Sequence, residues 1–295
     1  MEVRTVLLNA RSSFHDPDIR SELVEELKWG IDADIALFTE AYDADQGQSD
    51  EVLAAVEQLE SEGYNVTRTS NNDSDGRLDM RAMMAVSRFP MTSEVLNLGS
   101  RNALQLHIDL PNEAGAEQLD VFGFHGDDRS PATRVAQTRA LLGSVDEAIP
   151  TLMLAQMNAT HGDSRKDRLL HRTGPKVARL LGTIDPGEYS KLSGAGKLKA
   201  LPGRVGSLSL RVSGQVDGEP VRMLESAGFQ DADPEREVTI SSLMGAVAMQ
   251  VDYALLSRHF SLDQVISRET RAVETFKKHP PTGIQHRAVL TTISI

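Results

Sequence analysis

The sequence predicts a layered α/β sandwich that forms a single domain over residues 1–295. Segments with a helical spacing of apolar residues flank many short, β-rich runs. Neither an internal repeat of fixed period nor a linker rich in Pro or Ser divides the chain. Because each element has one apolar face to bury, we expect helices and sheets to stack in layers around a shared core.

The first predicted strand covers residues 3–8 and ends at Asn9. A helix is predicted next, because Asp16 is a suitable N-cap and Pro17 suits the first helical position. Gly30 is its predicted terminator.

An apolar run over residues 34–39 predicts a buried second strand with Glu40 at its end. Residues 49–62 carry apolar residues at helical spacing, and Gly63 is expected to close that helix. Short β-type runs then recur over residues 64–124, separated by polar turns.

The second half predicts a helix over residues 131–142 and a buried strand over 151–154. Residues 160–220 are rich in Gly, Ser, Lys and Arg, and we expect one or two helices there. The remaining β-type runs lie at residues 238–240, 251–257 and 288–295.

Composition excludes several classes of function. The chain has no cysteine, which excludes disulfides, thiolate zinc sites and a cysteine nucleophile. Its net charge of −12 disfavours non-specific binding to duplex DNA. No apolar run approaches the ~20 residues that span a bilayer. The N-terminus also lacks the pattern of a signal peptide. We therefore expect a cytoplasmic protein without a membrane span.

Polar residues follow the predicted strands at their ends. Because α/β proteins commonly bind ligands at the edge of the sheet where the strands end, we expect these residues to share one site. Each also has an ordinary structural interpretation: Asn9 as a turn residue, Glu40 as a solvated carboxylate and His125 as a structural histidine. The set consists of Asn9, Glu40, His125, Gln156, Asn158, Asp252, Gln285 and His286.

The order of these residues resembles the endonuclease/exonuclease/phosphatase superfamily, which has the deoxyribonuclease I-like fold. The matching segments are LLNA with Asn9, DIALFTE with Glu40, SRFP at residues 87–90, FGFHGDDRSPATRVAQTRALL, and GFQDADPEREVT followed by VDYALLS. The resemblance covers essentially the whole chain. It implies a four-layer αββα sandwich of two packed, mainly antiparallel sheets flanked by helices.

Two positions depart from the family pattern. The family's Gly-Asp-x-Asn motif appears as Ala155-Gln156-Met157-Asn158, and its closing Asp-His appears as Gln285-His286. Each change replaces a carboxylate with a neutral amide. Because an amide does not take a proton from water near neutral pH, a loss of roughly 10²- to 10⁴-fold in rate is expected if no other base substitutes.

The resemblance also implies roles for the strand-end residues. Asn9, Glu40 and Gln285 would lie at a site for Mg²⁺ or Mn²⁺, which we expect to bind weakly because hard cations favour carboxylate oxygens.

Four further residues would bind the phosphate or support that binding. Asn158 would orient it or the nucleophile, and His125 and His286 would contact its non-bridging oxygens. Asp252 would hold the His286 ring in the tautomer that this contact requires. Asp79 is a candidate for the corresponding role beside His125, although its alignment with the family is less definite.

Gln156 occupies the position that prepares the attacking water in the family. Other carboxylates near that edge of the sheet could replace the missing one, although solvated loop acids are the favoured interpretation for them: Asp127, Asp128 and Asp163.

The sequence thus favours a divalent-metal-dependent phosphoester hydrolase with impaired or altered activity. Its substrate would be a phosphorylated small molecule or a nucleic acid, with a phosphodiester or phosphomonoester bond. The alternative is a non-catalytic member of the family that binds a phosphorylated ligand or a protein partner. An ordinary nuclease is disfavoured by the net charge and by the single Trp, which leaves little aromatic surface for bases.

Overall fold

A computed structural model describes most of the chain. The described residues are 1–10, 13–42, 49–69, 82–99, 101–112, 114, 116–127, 130–159, 218–233, 240–242, 247–250, 252–273, 275 and 285–295. Residues 70–81, within the segment of predicted short strands and polar turns, lie outside them, as does most of the segment 160–220. Within the described ranges, no helix has the length and apolar character needed to cross a bilayer.

Two large sheets and one small sheet contain the described strands. The strands in the first half are β1 (Glu2–Asn9), β2 (Ile35–Tyr42), β3 (Asn65–Arg68), β4 (Ala82–Ser87), β5 (Met91–Asn97), β6 (Asn102–Asp109) and β7 (Gln118–His125). Those in the second half are β8 (Thr151–Gln156), β9 (Gln230–Asp231), β10 (Ile240–Ser242), β11 (Val247–Met249), β12 (Asp252–Leu256), β13 (Val265–Arg271), β14 (Gln285–His286) and β15 (Ala288–Ser294).

The first large sheet has the order β13-β15-β1-β2-β4-β3, and the second has the order β5-β6-β7-β8-β12-β9. The small sheet has the order β11-β10-β14. Most neighbouring strands are antiparallel, but β1 pairs with β2 and β7 pairs with β8 in parallel. Because the carboxyl ends of parallel neighbours meet at one edge, these two pairs determine where a site can form.

Four α-helices cover the outer faces of the two large sheets in the described part. They are α1 (Pro17–Glu25), α2 (Asp50–Ser61), α3 (Pro131–Leu142) and α4 (Glu219–Ser226). Buried residues of α1 and α2 pack with the first sheet, and those of α3 and α4 pack with the second. The predicted four-layer αββα sandwich is therefore confirmed.

A third apolar cluster fills the space between the two sheets. It includes Leu37 of β2, Val121 of β7 and Leu154 of β8. The sheets approach so closely that a Cβ on Gly123 would lie 2.4 Å from Leu37 Cδ1. The absence of a side chain at Gly123 therefore allows β7 to pack directly over β2.

The predicted helix starts are confirmed, but one predicted helix end is wrong. Asp16 caps α1 by accepting hydrogen bonds from the backbone of residues 18 and 19, with Pro17 in the first turn. A π-helical turn, Glu26–Ile31, then carries the chain through Gly30. The turn ends at Asp32, whose φ of 56° gives the left-handed conformation that closes a helix.

Candidate functional site

The polar residues gather at one end of the core between the sheets. In β8, for example, Leu152 and Leu154 face the other sheet, and Gln156 is the last residue on that face. Because side chains alternate across a strand, one polar residue per strand then meets the others at this edge. The set, here called the polar end, is Asn9, Thr39, Asn102, His125, Gln156 and Asp252, and each is at most 3% exposed.

Gln156 connects the two sheets at this end. Its Oε1 accepts one hydrogen bond of 3.0 Å from Asn9 Nδ2 and another of 2.7 Å from Thr39 Oγ1. A carbonyl oxygen has two lone pairs, so both are used. The Nε2 group retains two donors, for which the described residues provide no acceptor. Gln156 therefore offers a donor, not an acceptor, to a ligand at the polar end.

Glu40 reaches His125 of the polar end because of an irregularity in β2. The strand continues beyond the predicted end to Tyr42, and its register with β4 shifts between Phe38 and Tyr42. Glu40 has a φ of 50°, which is costly for a residue with a side chain. Simple alternation after Thr39 would aim Glu40 at the helix layer. Instead, its Oε1 lies 3.7 Å from His125 Nε2 on the other sheet.

His125 lies between Glu40 and a residue that the sequence did not predict, Arg101. Arg101 Nη1 lies 3.1 Å from His125 Nδ1, on the edge of the ring opposite Glu40. Both side chains are buried, with Arg101 7% and His125 1% exposed. Because a guanidinium has donors and no acceptor, Nδ1 of His125 must accept this hydrogen bond.

Asn158 joins the loops that follow β7 and β8. Its Nδ2 donates to the Gly126 carbonyl at 2.8 Å, and its own φ is 49°. The Gly126 amide donates in turn to the Gln156 carbonyl at 2.9 Å. A Cβ on Gly126 would lie 2.7 Å from the Met157 carbonyl oxygen, so this approach requires glycine. Asn158 therefore holds the backbone around Gln156.

The remaining predicted residues lie at the same end, but their contacts are only partly described. Asp252 is 2% exposed and pairs in register with Gln156. Gln285 and His286 form β14, directly before β15, whose Val289 pairs with Leu7 two residues before Asn9. This register brings their backbone to the Asn9 end of β1. Their side chains lie outside the described part, so an Asp252–His286 contact stays a prediction.

Asp127 has a structural role near the site. Its carboxylate accepts a 2.6 Å hydrogen bond from the Ser130 amide, and its own amide donates to Gln137 Oε1 at 3.0 Å. These contacts hold the loop that leads into α3. The other two acids considered as replacements, Asp128 and Asp163, lie outside the described residues, as does Asp79, the candidate partner of His125.

Comparison with known proteins identifies the fold. No protein-family model matches the sequence, and no curated protein matches it significantly. Solved structures do match. An endonuclease/exonuclease/phosphatase from Beutenbergia cavernae is 16% identical, with a TM-score of 0.59 over 100% of this chain and 72% of that one.

Two further structures cover both chains almost completely. An AP endonuclease from Archaeoglobus fulgidus is 12% identical, with a TM-score of 0.54 over 99% of this chain and 100% of that one. A 3′ phosphatase from Neisseria, bound to a product DNA hairpin, is also 12% identical, with a TM-score of 0.55 and the same coverage. The chain has the endonuclease/exonuclease/phosphatase fold.

The described part of the polar end does not supply the metal site that the family resemblance implied, and the side chain of Gln285, the third predicted metal residue, lies outside that part. Mg²⁺ and Mn²⁺ need several oxygen ligands, preferably carboxylates. Among the described residues, no group of three or more His, Asp or Glu side chains could hold a metal ion. The Gln156 oxygen is already occupied by two donors, and Asn9 turns its Nδ2 toward that oxygen. The described side chains therefore do not fit a divalent cation.

Two residues of the polar end, and Arg101 beside it, were missed by the sequence analysis. Thr39 lies on the inner face of β2 after Ile35 and Leu37, and Asn102 begins β6 on the same face as Leu104, so the alternation of each strand was a signal for both. No pattern in the sequence pointed to Arg101. It reaches His125 only because the β5–β6 hairpin places it there.

Proposed function

We propose that this protein binds the phosphoryl group of a phosphorylated ligand at the polar end and that its phosphoester hydrolysis is impaired. The observation that carries the proposal is the pair of hydrogen bonds that Asn9 and Thr39 donate to Gln156 Oε1. These bonds fix the amide with its oxygen toward the first sheet. Its NH₂ group is then available to phosphoryl oxygens, which are strong acceptors.

Hydrolysis requires a group that Gln156 does not supply. When a water oxygen attacks phosphorus and the ester P–O bond breaks, the water proton must pass to a base. An amide oxygen that already accepts two hydrogen bonds has neither the basicity nor a lone pair for that proton. Two carboxylates are described near this position: Glu40 lies beside His125, and Asp252, which pairs in register with Gln156, is expected to hold His286. We therefore infer slow turnover.

The fold and the charge together favour a particular class of ligand. The Neisseria structure of this fold contains a DNA product, and its protein is a 3′ phosphatase. For this chain, a net charge of −12 opposes long duplex DNA, whose backbone carries dense negative charge. The proposed ligand is accordingly a small phosphorylated molecule or a short nucleic-acid end. Because the described residues do not provide a carboxylate cluster, we expect Mg²⁺ and Mn²⁺ to bind weakly.

Hydrolysis of bis-p-nitrophenyl phosphate, with Mg²⁺ or Mn²⁺, tests the impairment. The wild type is compared with a variant that carries both Gln156→Asp and Gln285→Asp. The double variant should be faster by about 10²-fold or more, since it regains a general base. Gln118→Asp is the matched control, because it makes the same change at the exposed far end of β7.

Two results would contradict the proposal. The impairment is wrong if the wild type hydrolyses the substrate as fast as the double variant and Glu40→Ala abolishes that activity. The binding site is wrong if inorganic phosphate, titrated into the wild type by calorimetry, gives the same signal as it does with Gln156→Glu. That variant keeps the oxygen at Oε1 but replaces the NH₂ group with a charged oxygen, which should repel phosphate.

A further inference from the structure

We propose that Arg101 is a positioning residue that fixes the ring proton of His125 on Nε2. The observation is the 3.1 Å contact between Arg101 Nη1 and His125 Nδ1. Since the guanidinium only donates, Nδ1 carries a lone pair and the proton of the neutral ring is on Nε2. That N–H group faces Glu40, across a gap of 3.7 Å that is too long for a good hydrogen bond.

The β5–β6 turn holds Arg101 in this place. The Leu98 amide donates to the Arg101 carbonyl at 2.9 Å, and the Gly99 amide donates to Asn97 Oδ1 at 2.8 Å. Gly99 has a φ of 91°, which the turn requires and which a residue with a side chain would adopt only with strain. The guanidinium is thus buried on a tight hairpin and aimed at the edge of the His125 ring.

The arrangement also balances charge at the polar end. The Arg101 cation and the Glu40 anion lie on opposite edges of one neutral imidazole. Their fields partly cancel, which lowers the electrostatic cost of bringing an anion to this part of an acidic protein.

For a ligand, the consequence is that His125 acts as a donor. His125 and Gln156 pair in register on the parallel strands β7 and β8, so their Cα atoms are about 4.8 Å apart and their side chains share a face. Nε2–H of His125 and the NH₂ group of Gln156 therefore stand side by side for the oxygens of one phosphoryl group. This last step rests on the proposed function, whereas the tautomer does not.

The tautomer is measured by NMR on the wild-type protein without ligand. Long-range ¹H–¹⁵N correlation at neutral pH reports which nitrogen of each imidazole is protonated, and His125→Gln identifies the signals of His125. We expect a protonated Nε2 and a bare Nδ1. A proton on Nδ1 would overturn the inference, because Arg101 could not then donate to it. This measurement needs no Arg101 variant, so it tests the tautomer even if such variants fold poorly.

Phosphate titrations test the positioning role. Arg101→Met should weaken phosphate binding by about tenfold or more. Without Arg101, the ring proton of His125 is no longer fixed on Nε2, so the His125 hydrogen bond to the charged phosphate, which is of the stronger kind, is weakened. Arg101→Lys keeps a cationic donor and should recover most of that loss. Arg258→Gln, on an exposed residue paired with Glu147, is the control and should bind like the wild type.

The outcomes separate this inference from the proposed function. Equal phosphate binding by the wild type, Arg101→Met and Arg101→Lys would overturn the positioning role. If the wild type shows the Nε2–H tautomer but binds no phosphate, the Arg101 contact stands and the proposed function fails. If it binds phosphate with the proton on Nδ1, the function stands and the Arg101 inference fails.

Discussion

At the scale of single residues, the polar end shows how one amide changes the chemistry available to a fold. Gln156 accepts hydrogen bonds from both Asn9 and Thr39, and its oxygen is directed at the first sheet. A carboxylate at this position could hold a cation or take a proton, whereas the amide presents N–H groups. The same hydrogen bonds connect the two sheets, so they should also contribute to stability.

The contribution of Thr39 can be measured with Thr39→Val, which removes the hydroxyl and keeps the shape. One donor to the buried Gln156 oxygen is lost, and we expect the free energy of unfolding to fall by about 1 kcal/mol. Urea denaturation measures it. Thr291→Val is a matched control, because Thr291 is 1% exposed and its Oγ1 makes no hydrogen bond in the described part of the chain. A Thr39→Val loss no greater than that of the control would contradict the prediction.

At the scale of elements, local sequence signals predicted where helices begin better than where helices and strands end. Asp16 before Pro17 and Ser49 before α2 are side-chain caps, which depend on the next few residues only. The end of β2 was predicted at Thr39, but the strand continues to Tyr42. That extension depends on pairing with β4 across a register shift, which the sequence of β2 alone does not contain.

The residues of the candidate site also differ in how far the sequence could predict them. The polar residue at the end of an apolar run is visible in the sequence, and it predicted Asn9, His125 and Gln156. Arg101 is brought to His125 by the hairpin between β5 and β6 and by the pairing of β6 with β7. Such a contact depends on which strands become neighbours, so it was not predictable from spacing along the chain.

The extended part of β2 gives a prediction about alkaline pH. Burial raises the pKa of the Tyr42 phenol to about 12, and its hydroxyl donates to the Thr69 carbonyl at 2.9 Å. The folded pKa is above the ordinary value of about 10, so this stabilisation is complete below about pH 10 and is lost as the pH rises toward 12. Two pKa units correspond to a loss of about 3 kcal/mol.

Tyr42→Phe should therefore change the pH dependence. We expect the variant to be about 1 kcal/mol less stable at neutral pH, because it lacks the hydrogen bond to Thr69. Between about pH 10 and 12, its stability should fall less steeply than that of the wild type. Urea denaturation at both ends of this range measures the difference. Parallel alkaline losses in the two proteins would show that the phenol of Tyr42 does not carry the effect.

At the scale of the whole molecule, the two sheets are joined beyond their apolar core. At the polar end, Gln156 of the second sheet binds Asn9 and Thr39 of the first. At another edge, Arg268 of β13 in the first sheet lies 2.5 Å from Asp233, which follows β9 of the second. The Asp233 and Arg268 side chains are 5% and 4% exposed, so this ion pair is shielded from solvent.

Removing one partner of that pair should therefore destabilise the sandwich strongly. Asp233→Ala leaves the Arg268 guanidinium buried without its partner carboxylate, and we expect a loss of about 3–5 kcal/mol in the free energy of unfolding. The double change Asp233→Leu and Arg268→Met should lose less than Asp233→Ala, because no buried charge of the pair remains. Glu147→Ala is the control: it breaks an exposed ion pair with Arg258, and we expect a loss of about 1 kcal/mol at most. Chemical denaturation of the four proteins gives the comparison. If Asp233→Ala costs no more than Glu147→Ala, the buried pair does not hold the two sheets together at this edge.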